Sequence, residues 1–195
     1  MPDEIESLPS ASVFIATSID GYIADADGGV DWLNDLQTTH PLPEGDDGGF
    51  GAFVSSVDAI VMGRTTFETV LGFLDSGVEW PYGDTPVFVY TRNVQNVKVP
   101  DALSEKVKAA TGTPKEVLQL VASAIKGASN VYVDGGRTIR SFVDEGLVGR
   151  AIITVVPVTL GAGIALFSQK QKDMLQEVTR EKMPNGFVKV TYKVK

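Results

Sequence analysis

VYVDGGRTI, residues 131–139, is the stretch whose reading decides the fold of this chain. Val131 to Val133 form an apolar run, Asp134 and two adjacent glycines follow, and Arg137-Thr138-Ile139 opens a helical pattern. A strand therefore hands over to a helix across Gly135-Gly136. One glycine is enough for an ordinary turn. A pair means either that the backbone takes dihedrals closed to other residues, or that a ligand approaches too closely for a Cβ. A helix that starts just after it adds free N–H groups and the positive end of a dipole, which suit a phosphate.

Composition sets the bounds. The 195 residues fit one domain with a full hydrophobic core. A formal charge of -8 argues against nucleic acid as a main partner, because phosphate binding over a duplex needs a basic face. With no cysteine in the chain, disulfides, thiolate metal sites and cysteine nucleophiles are excluded. A zinc site or a Ser-His-Asp triad would rest on His40, the one histidine, so no metal is expected. The N-terminal MPDEIESLPS is acidic and lacks the apolar core of a signal peptide. No apolar stretch reaches spanning length. A cytoplasmic protein without a membrane partner is the expectation.

Working outward from the opening stretch, ASVFIAT (11–17), DAIVMG (58–63), TPVFVYT (85–91) and RAIITVVPV (150–158) read as buried strands. Helices are expected around Asp31–Leu36, Phe50–Val57, Thr65–Leu71 and Thr138–Glu145. Thr113-Pro114-Lys115-Glu116 is a helix start with a capping box, and Gly127 is the expected stop. Lys98 to Thr111 reads as one or two short edge strands. LQEVTREK and FVKVTYKV, on either side of Met183-Pro184-Asn185-Gly186, alternate as an antiparallel hairpin. Strands alternating with helices imply right-handed crossovers and a largely parallel sheet. The fold class is therefore α/β, a tail over 1–10 leading into one domain over 11–195. The long glycine-bearing stretch from Ser18 to Gly49 has the length of a functional loop.

Two motifs fail on their spacing. DADGGVDWLND (25–35) starts like a calcium loop, but Val30 and Leu36 stand where Gly and Glu are required. GDDGGFG (45–51) lacks the preceding strand and the Gly-Lys-Ser/Thr of a phosphate loop. Three other sites share one geometry. Gly63-Arg64-Thr65-Thr66, Thr91-Arg92 and Gly135 to Thr138 each follow an apolar strand. In open α/β sheets ligands bind outside the carboxyl ends of the strands, so these sites bring hydroxyls, arginines and N–H groups to one edge. An extended polyanion is the ligand this arrangement fits, since the planar Arg fork matches phosphate. The Rossmann G-x-G-x-x-G is absent.

Taken in order, TSIDGYIA (17–24), DWL (31–33), VMGRTTFE (61–68), VYTRN (89–93), VDGGRTI (133–139) and PVTLGAGIALF (157–167) resemble the dihydrofolate reductase-like superfamily. The branch they most resemble contains the reductase domain of the bifunctional riboflavin-biosynthesis deaminase-reductase. The resemblance implies an eight-stranded, mostly parallel sheet, a homodimer, and NADPH as cofactor. It implies that Ala16 and Ile23 hold the nicotinamide carboxamide through their backbones, with Asp20 and Gly21 shaping the loop beside it. Gly63, Arg64, Thr65 and Thr66 would meet phosphates, and Thr91 and Arg92 the adenosine ribose and its 2′-phosphate. Gly135-Gly136 would form a cis peptide against the cofactor, while Arg137, Thr138 and Ile139 line the pyrophosphate.

For catalysis the resemblance points to Trp32, to Asp47 or equally Asp46, and to Thr154 supporting that acid. The deaminase half, with its zinc cysteines, has no counterpart in this sequence. The expected activity is NADPH-dependent reduction of a small heterocyclic substrate, foremost the riboflavin-pathway 5-amino-6-(5-phosphoribosylamino)uracil. Pterin reduction is an alternative, as is a non-catalytic NADP-binding protein.

Overall fold

A computed structural model describes residues 8–195. Residues 1–7 of the expected tail lie outside the described residues, and Ser10 already belongs to the first strand. The elements in chain order are β1 (Ser10–Ser18), β2 (Tyr22–Ala24), α1 (Asp31–Thr39), α2 (Phe50–Val54), β3 (Ala59–Gly63) and α3 (Arg64–Asp75). Next come β4 (Val87–Tyr90), β5 (Val107–Ala110), α4 (Pro114–Ala124), β6 (Asn130–Asp134) and α5 (Gly136–Asp144). The chain closes with β7 (Val148–Val156), β8 (Ile164–Ala165), α6 (Gln169–Lys172), β9 (Leu175–Lys182) and β10 (Val188–Val194).

Eight strands form the main sheet in the order β5-β4-β3-β6-β1-β7-β10-β9. All neighbouring pairs from β5 to β7 are parallel, and β10 and β9 add on antiparallel. This is the dihydrofolate reductase-like architecture that the motif order implies. Helices cover both faces, which is why β3 reads as a continuous apolar run. On one face Val117, Leu118 and Val121 of α4 and Ile139, Phe142 and Val143 of α5 pack on Val13, Val61, Val131 and Val133. On the other, Phe53 and Val54 of α2 and Phe67 and Val70 of α3 pack on Ile60, Met62, Val87 and Val89. A smaller cluster joins Trp32, Leu33 and Leu36 of α1 to Val156, Met183 and Phe187.

Local chemistry explains most element ends. Thr113 accepts from the Glu116 N–H at 3.2 Å while Glu116 accepts from the Thr113 N–H at 2.7 Å, completing the capping box. That helix stops earlier than expected, at Ala124, because Ile125 turns extended, and Gly127 serves the following turn with φ +80. Lys98–Thr111 holds one edge strand, β5, preceded by two short 3-10 turns. The long stretch after β1 contains a feature too short to read in sequence, since β2 pairs antiparallel with β8 across some 140 residues.

One expectation needs correction. The Gly135–Gly136 bond is not cis, and no cis bond occurs among the described residues. The strand-to-helix handover is made by Gly135 with φ +88 and ψ 126, a conformation open to glycine. The apolar run RAIITVVPV falls mostly in β7, an interior strand between β1 and β10. Its burial inside one subunit accounts for its composition.

Candidate functional site

Strands β3 and β6 are neighbours, with Met62 opposite Asp134, so α3 and α5 begin side by side at the carboxyl edge of the sheet. Helices α4 and α6 both carry side-chain capping boxes, whereas α3 and α5 start at Gly63 and Gly135 with no side-chain cap. The first-turn N–H groups of Arg64, Thr65 and Thr66, and of Gly136, Arg137 and Thr138, have no intrahelical acceptor. Two positive dipole ends thus converge on one spot.

The glycines are what allow the two turns to interlock. A Cβ on Gly63 would sit 2.9 Å from Thr138 Oγ1, and one on Gly135 would collide with Thr66 Oγ1. A Cβ on Gly136 would collide with Ile23 Cδ1, so the side chain of β2 lies directly over the start of α5. The structure therefore brings Ile23, Gly63, Thr66, Gly135, Gly136 and Thr138 together. Ile139 stands apart. Its side chain is fully buried in the core and its N–H is bonded to the Gly135 carbonyl at 2.9 Å, which leaves it nothing to offer a ligand.

The arginines differ in availability. Arg64 pairs with Glu68 one turn along α3. Arg92, beyond β4, and Arg137, at the second position of α5, are exposed and make no hydrogen bond or ion pair among the described residues. Thr91 turns its hydroxyl to the local chain, accepting from the Asn93 N–H at 3.2 Å.

The loop after β1 is held from the other side. Asp20 accepts from the Ser18 hydroxyl at 2.6 Å and from the N–H groups of Leu160 and Gly161 at 3.2 and 2.8 Å. The Ser18 hydroxyl, together with these amides, holds its carboxyl below the usual range against some desolvation. The β2–β8 pair and a bond from the Leu166 N–H to the Gly21 carbonyl at 3.0 Å complete the tie. Arg140 of α5 donates to the Ala165 carbonyl, fixing β8 to the helix.

Next to Ala16 lies a cavity of about 390 Å³. Phe14, Ala16, Thr154 and Val156 form its floor, and Asp46, Asp47 and Gly48 its rim. Thr154 stands directly opposite Ala16 in the sheet. Trp32 packs behind the wall against Val156 and Phe187, and its indole N–H is buried with no partner among the described residues. Asp47 accepts from the Gly49 and Gly51 N–H groups at 2.8 and 2.6 Å, and these bonds hold it ionised below the ordinary carboxylate range. Asp46 accepts from the Gly48 N–H at 2.8 Å. A second cavity, of about 450 Å³, is lined by Thr17, Ile153, Val155, Tyr192 and Lys172 and shares only the Asp20–Gly21 corner with the predicted residues.

Sequence reasoning passed over Asp134. It ends β6 between the two turns, accepts from the Gly135 N–H at 2.7 Å, and is half-buried beside Tyr132. Desolvation pushes its pKa up to about 6, although the Gly135 N–H acts in the opposite direction. The Tyr132 hydroxyl donates to the Phe14 carbonyl at 3.0 Å, on the cavity floor. An acid in the middle of the V-D-G-G run was the available signal; its shifted acidity needed the fold.

The family model described as the RibD C-terminal domain matches residues 9–189. Among curated proteins, YwjB of Bacillus subtilis (strain 168), itself uncharacterised, is 32% identical over 160 residues, covering 80% of this chain and 82% of YwjB. A Shewanella sp. PV-4 protein, assigned by name to riboflavin biosynthesis, superposes with a TM-score of 0.80 at 36% identity, over 95% of this chain and 99% of that one. At the level of fold alone, a dihydrofolate reductase from Enterococcus faecalis complexed with NADP(H) gives a TM-score of 0.57 at 19% identity, over 95% and 96% of the two chains.

Proposed function

The chain belongs to the RibD C-terminal domain family, and on that footing we propose that it is a reductase that uses NADPH to reduce a flat heterocyclic substrate. The observation that carries this reading is the convergence of two uncapped helix starts with two unpaired arginines. Backbone N–H groups and guanidinium forks are the donors a dinucleotide phosphate chain needs. Arg92, Arg137, Thr65, Thr66 and the first turn of α5 would hold the phosphates. Ile23 and Ala16 would flank the nicotinamide at the edge of the 390 Å³ cavity.

When bound, NADPH supplies a hydride, which the protein itself has no group to provide. The chain's own contribution is positioning and proton control. Phe14, Ala16 and Val156 give the substrate a largely apolar floor, Thr154 gives it a hydroxyl, and Asp46 and Asp47 give acceptors at the rim. Asp47 is held as a carboxylate by two backbone amides and is suited to accept hydrogen bonds, not to donate a proton. Asp134, with its pKa pushed up to about 6, is the group that exchanges a proton just below neutrality, on its carboxyl beside Tyr132 and Gly135.

A second reading, nucleotide binding without chemistry, is favoured by one observation: both rim carboxylates are already engaged by backbone amides. Titration with NADPH followed by oxidation assays over pterins, flavins and aminopyrimidines separates the two. Saturable NADPH binding with turnover of one class supports the reductase, binding without any turnover supports the second reading, and no binding sinks both. Homodimer formation, implied by the resemblance, is checked by light scattering, where a monomer mass at micromolar concentration rules it out.

A further inference from the structure

Strands β1 and β7 carry two cavities back to back at their carboxyl ends. Successive side chains of a strand point to opposite faces. Ala16, Thr154 and Val156 therefore line the cavity beside the proposed nicotinamide position, while Thr17, Ile153 and Val155 line the second one, of about 450 Å³, on the other face. Nothing in the proposed reaction uses this second cavity. Its walls are apolar and partly aromatic, with Leu166, Phe167 and Tyr192 facing the two strands. Two of its polar groups are uncommitted. Thr17 is only 4% exposed, yet its hydroxyl makes no hydrogen bond among the described residues. A hydroxyl so deeply buried normally has a partner. Lys172 is the one cation of the lining, and its Nζ lies 3.6 Å from where a Cβ on Gly21 would stand. Its ammonium makes no ion pair or hydrogen bond among the described residues. Asp20, the one acid of the lining, is already engaged by the Ser18 hydroxyl and by the Leu160 and Gly161 amides.

We infer that this cavity is a second ligand site, for a small aromatic monocarboxylate. The ring lies on Ile153, Val155 and Phe167, and the carboxylate accepts from the Lys172 ammonium and the Thr17 hydroxyl. A lysine has donors and no acceptor, so it selects an anion over a neutral ring. A single lysine without an arginine fork suits a monoanion better than a phosphate dianion. The volume falls in the range of small-molecule pockets. The sheet separates this ligand from the cavity on the other face, so the two do not compete, and the inference does not depend on the reductase reading. One wall of the cavity is the Ser18–Gly21 turn, which the Leu166 N–H ties down by donating to the Gly21 carbonyl at 3.0 Å. A ligand packed against both residues holds that tie closed.

The test uses the full-length protein and two probes of one shape, 2-naphthoate and its neutral amide, in calorimetric titrations at low salt, with hydrogen exchange as a second readout. The carboxylate should bind saturably and about fivefold more tightly than the amide, the upper end for a partly exposed ion pair. Lys172→Met, an exposed change that keeps an unbranched stem, should remove that preference. Thr17→Val should weaken the carboxylate severalfold, and if that buried change unfolds the protein, Lys172→Met still reads the site. Bound 2-naphthoate should slow exchange at the Leu166 amide. Absence of saturable binding, as when a second copy of the chain covers the cavity, would overturn the inference. Equal affinity for the two probes, a preference that survives Lys172→Met, or unchanged exchange at Leu166 would each do the same.

Discussion

The side chain of Ile23 fills the space that a Cβ on Gly136 would need, and the atom in the way is its terminal Cδ1. The neighbour is the far end of a flexible side chain, so Gly136→Ala should fold, with a melting temperature close to wild type. Ile23 would have to swing out, and NADPH affinity should fall about tenfold or more, as for loss of one good contact set. Ile23→Val removes Cδ1, so the double variant should recover most of that affinity. Calorimetric titration of the single and double variants reads the coupling. Unchanged affinity in Gly136→Ala would separate this glycine from cofactor binding.

Gly135 should respond differently. Its φ of +88 with ψ 126 strains any L-residue, and Thr66 Oγ1 occupies the Cβ position. Gly135→Ala should cost about 1–3 kcal/mol of stability before any ligand is added. Thermal melts of the apo protein check this, and a wild-type melting curve would count against the interlocked turns.

Arg92→Ala should weaken NADPH by about tenfold or more, in line with roughly 1.5–3 kcal/mol for a charge-assisted hydrogen bond, and leave NADH nearly unchanged. Equal weakening of both cofactors would mean that Arg92 does not meet the 2′-phosphate. Arg64→Ala should have the smaller effect, since Glu68 already holds that guanidinium.

Asp134 gives a signed pH prediction. Its folded pKa, about 6, lies above the ordinary 3.8, so the folded state disfavours its ionised form. The resulting penalty is small below about pH 4, grows as pH rises through 6, and is complete above about pH 7, with a ceiling of about 3 kcal/mol. Asp134→Asn should therefore raise the melting temperature at pH 8 and have little effect near pH 4. If Asp134 supplies the proton in turnover, activity falls as pH rises through about 6, and the variant loses that limb.

Asp20 has the opposite sign. Its carboxyl is held low by Ser18 and by the amides of Gly161 and Leu160, so the tie persists across neutral pH and fails only as pH falls through that lowered value. Asp20→Ala should speed hydrogen exchange at Leu160 and Gly161 at pH 7 while core amides of β3 keep their protection. Unchanged exchange at both amides would show that the loop is held without it.

The strands and most helices were legible because their patterns are local. Val131 to Val133 and Ala59 to Met62 are apolar runs of strand length, and Thr113 with Glu116 is a cap written in four residues. The β2–β8 pair was not legible, because two or three residues carry no period and the partners are far apart in sequence. The glycine pair was correctly read as special, and Gly135 does take dihedrals closed to other residues, but the cis bond implied by the resemblance is absent. The crowding by Thr66 and Ile23 adds a second constraint, which no local pattern connects to it. Asp134 escaped notice for the same kind of reason, since its acidity depends on a burial that only the packed sheet creates. The rim acids could be named from sequence, whereas their engagement by the Gly48, Gly49 and Gly51 amides could not.

The position of β1 in the sheet also sets an order of events during folding. Ser10, Ala11 and Ser12 pair with Asn130, Val131 and Tyr132 on one side, and Ser12 to Ser18 pair with Arg150 to Val156 on the other. Strand β1 thus leaves the ribosome well before β6 and β7, and waits for them before either of its edges is satisfied. Closure over so long a separation is slow, and until then Val13, Phe14 and Ile15 form an unpaired apolar edge of the kind that aggregates. Assembly can begin earlier among β3, β4 and β5, which are close in sequence and adjacent in space. The half of the sheet that carries Gly63 and Thr91 can therefore form first, and the insertion of β1 completes the cleft last.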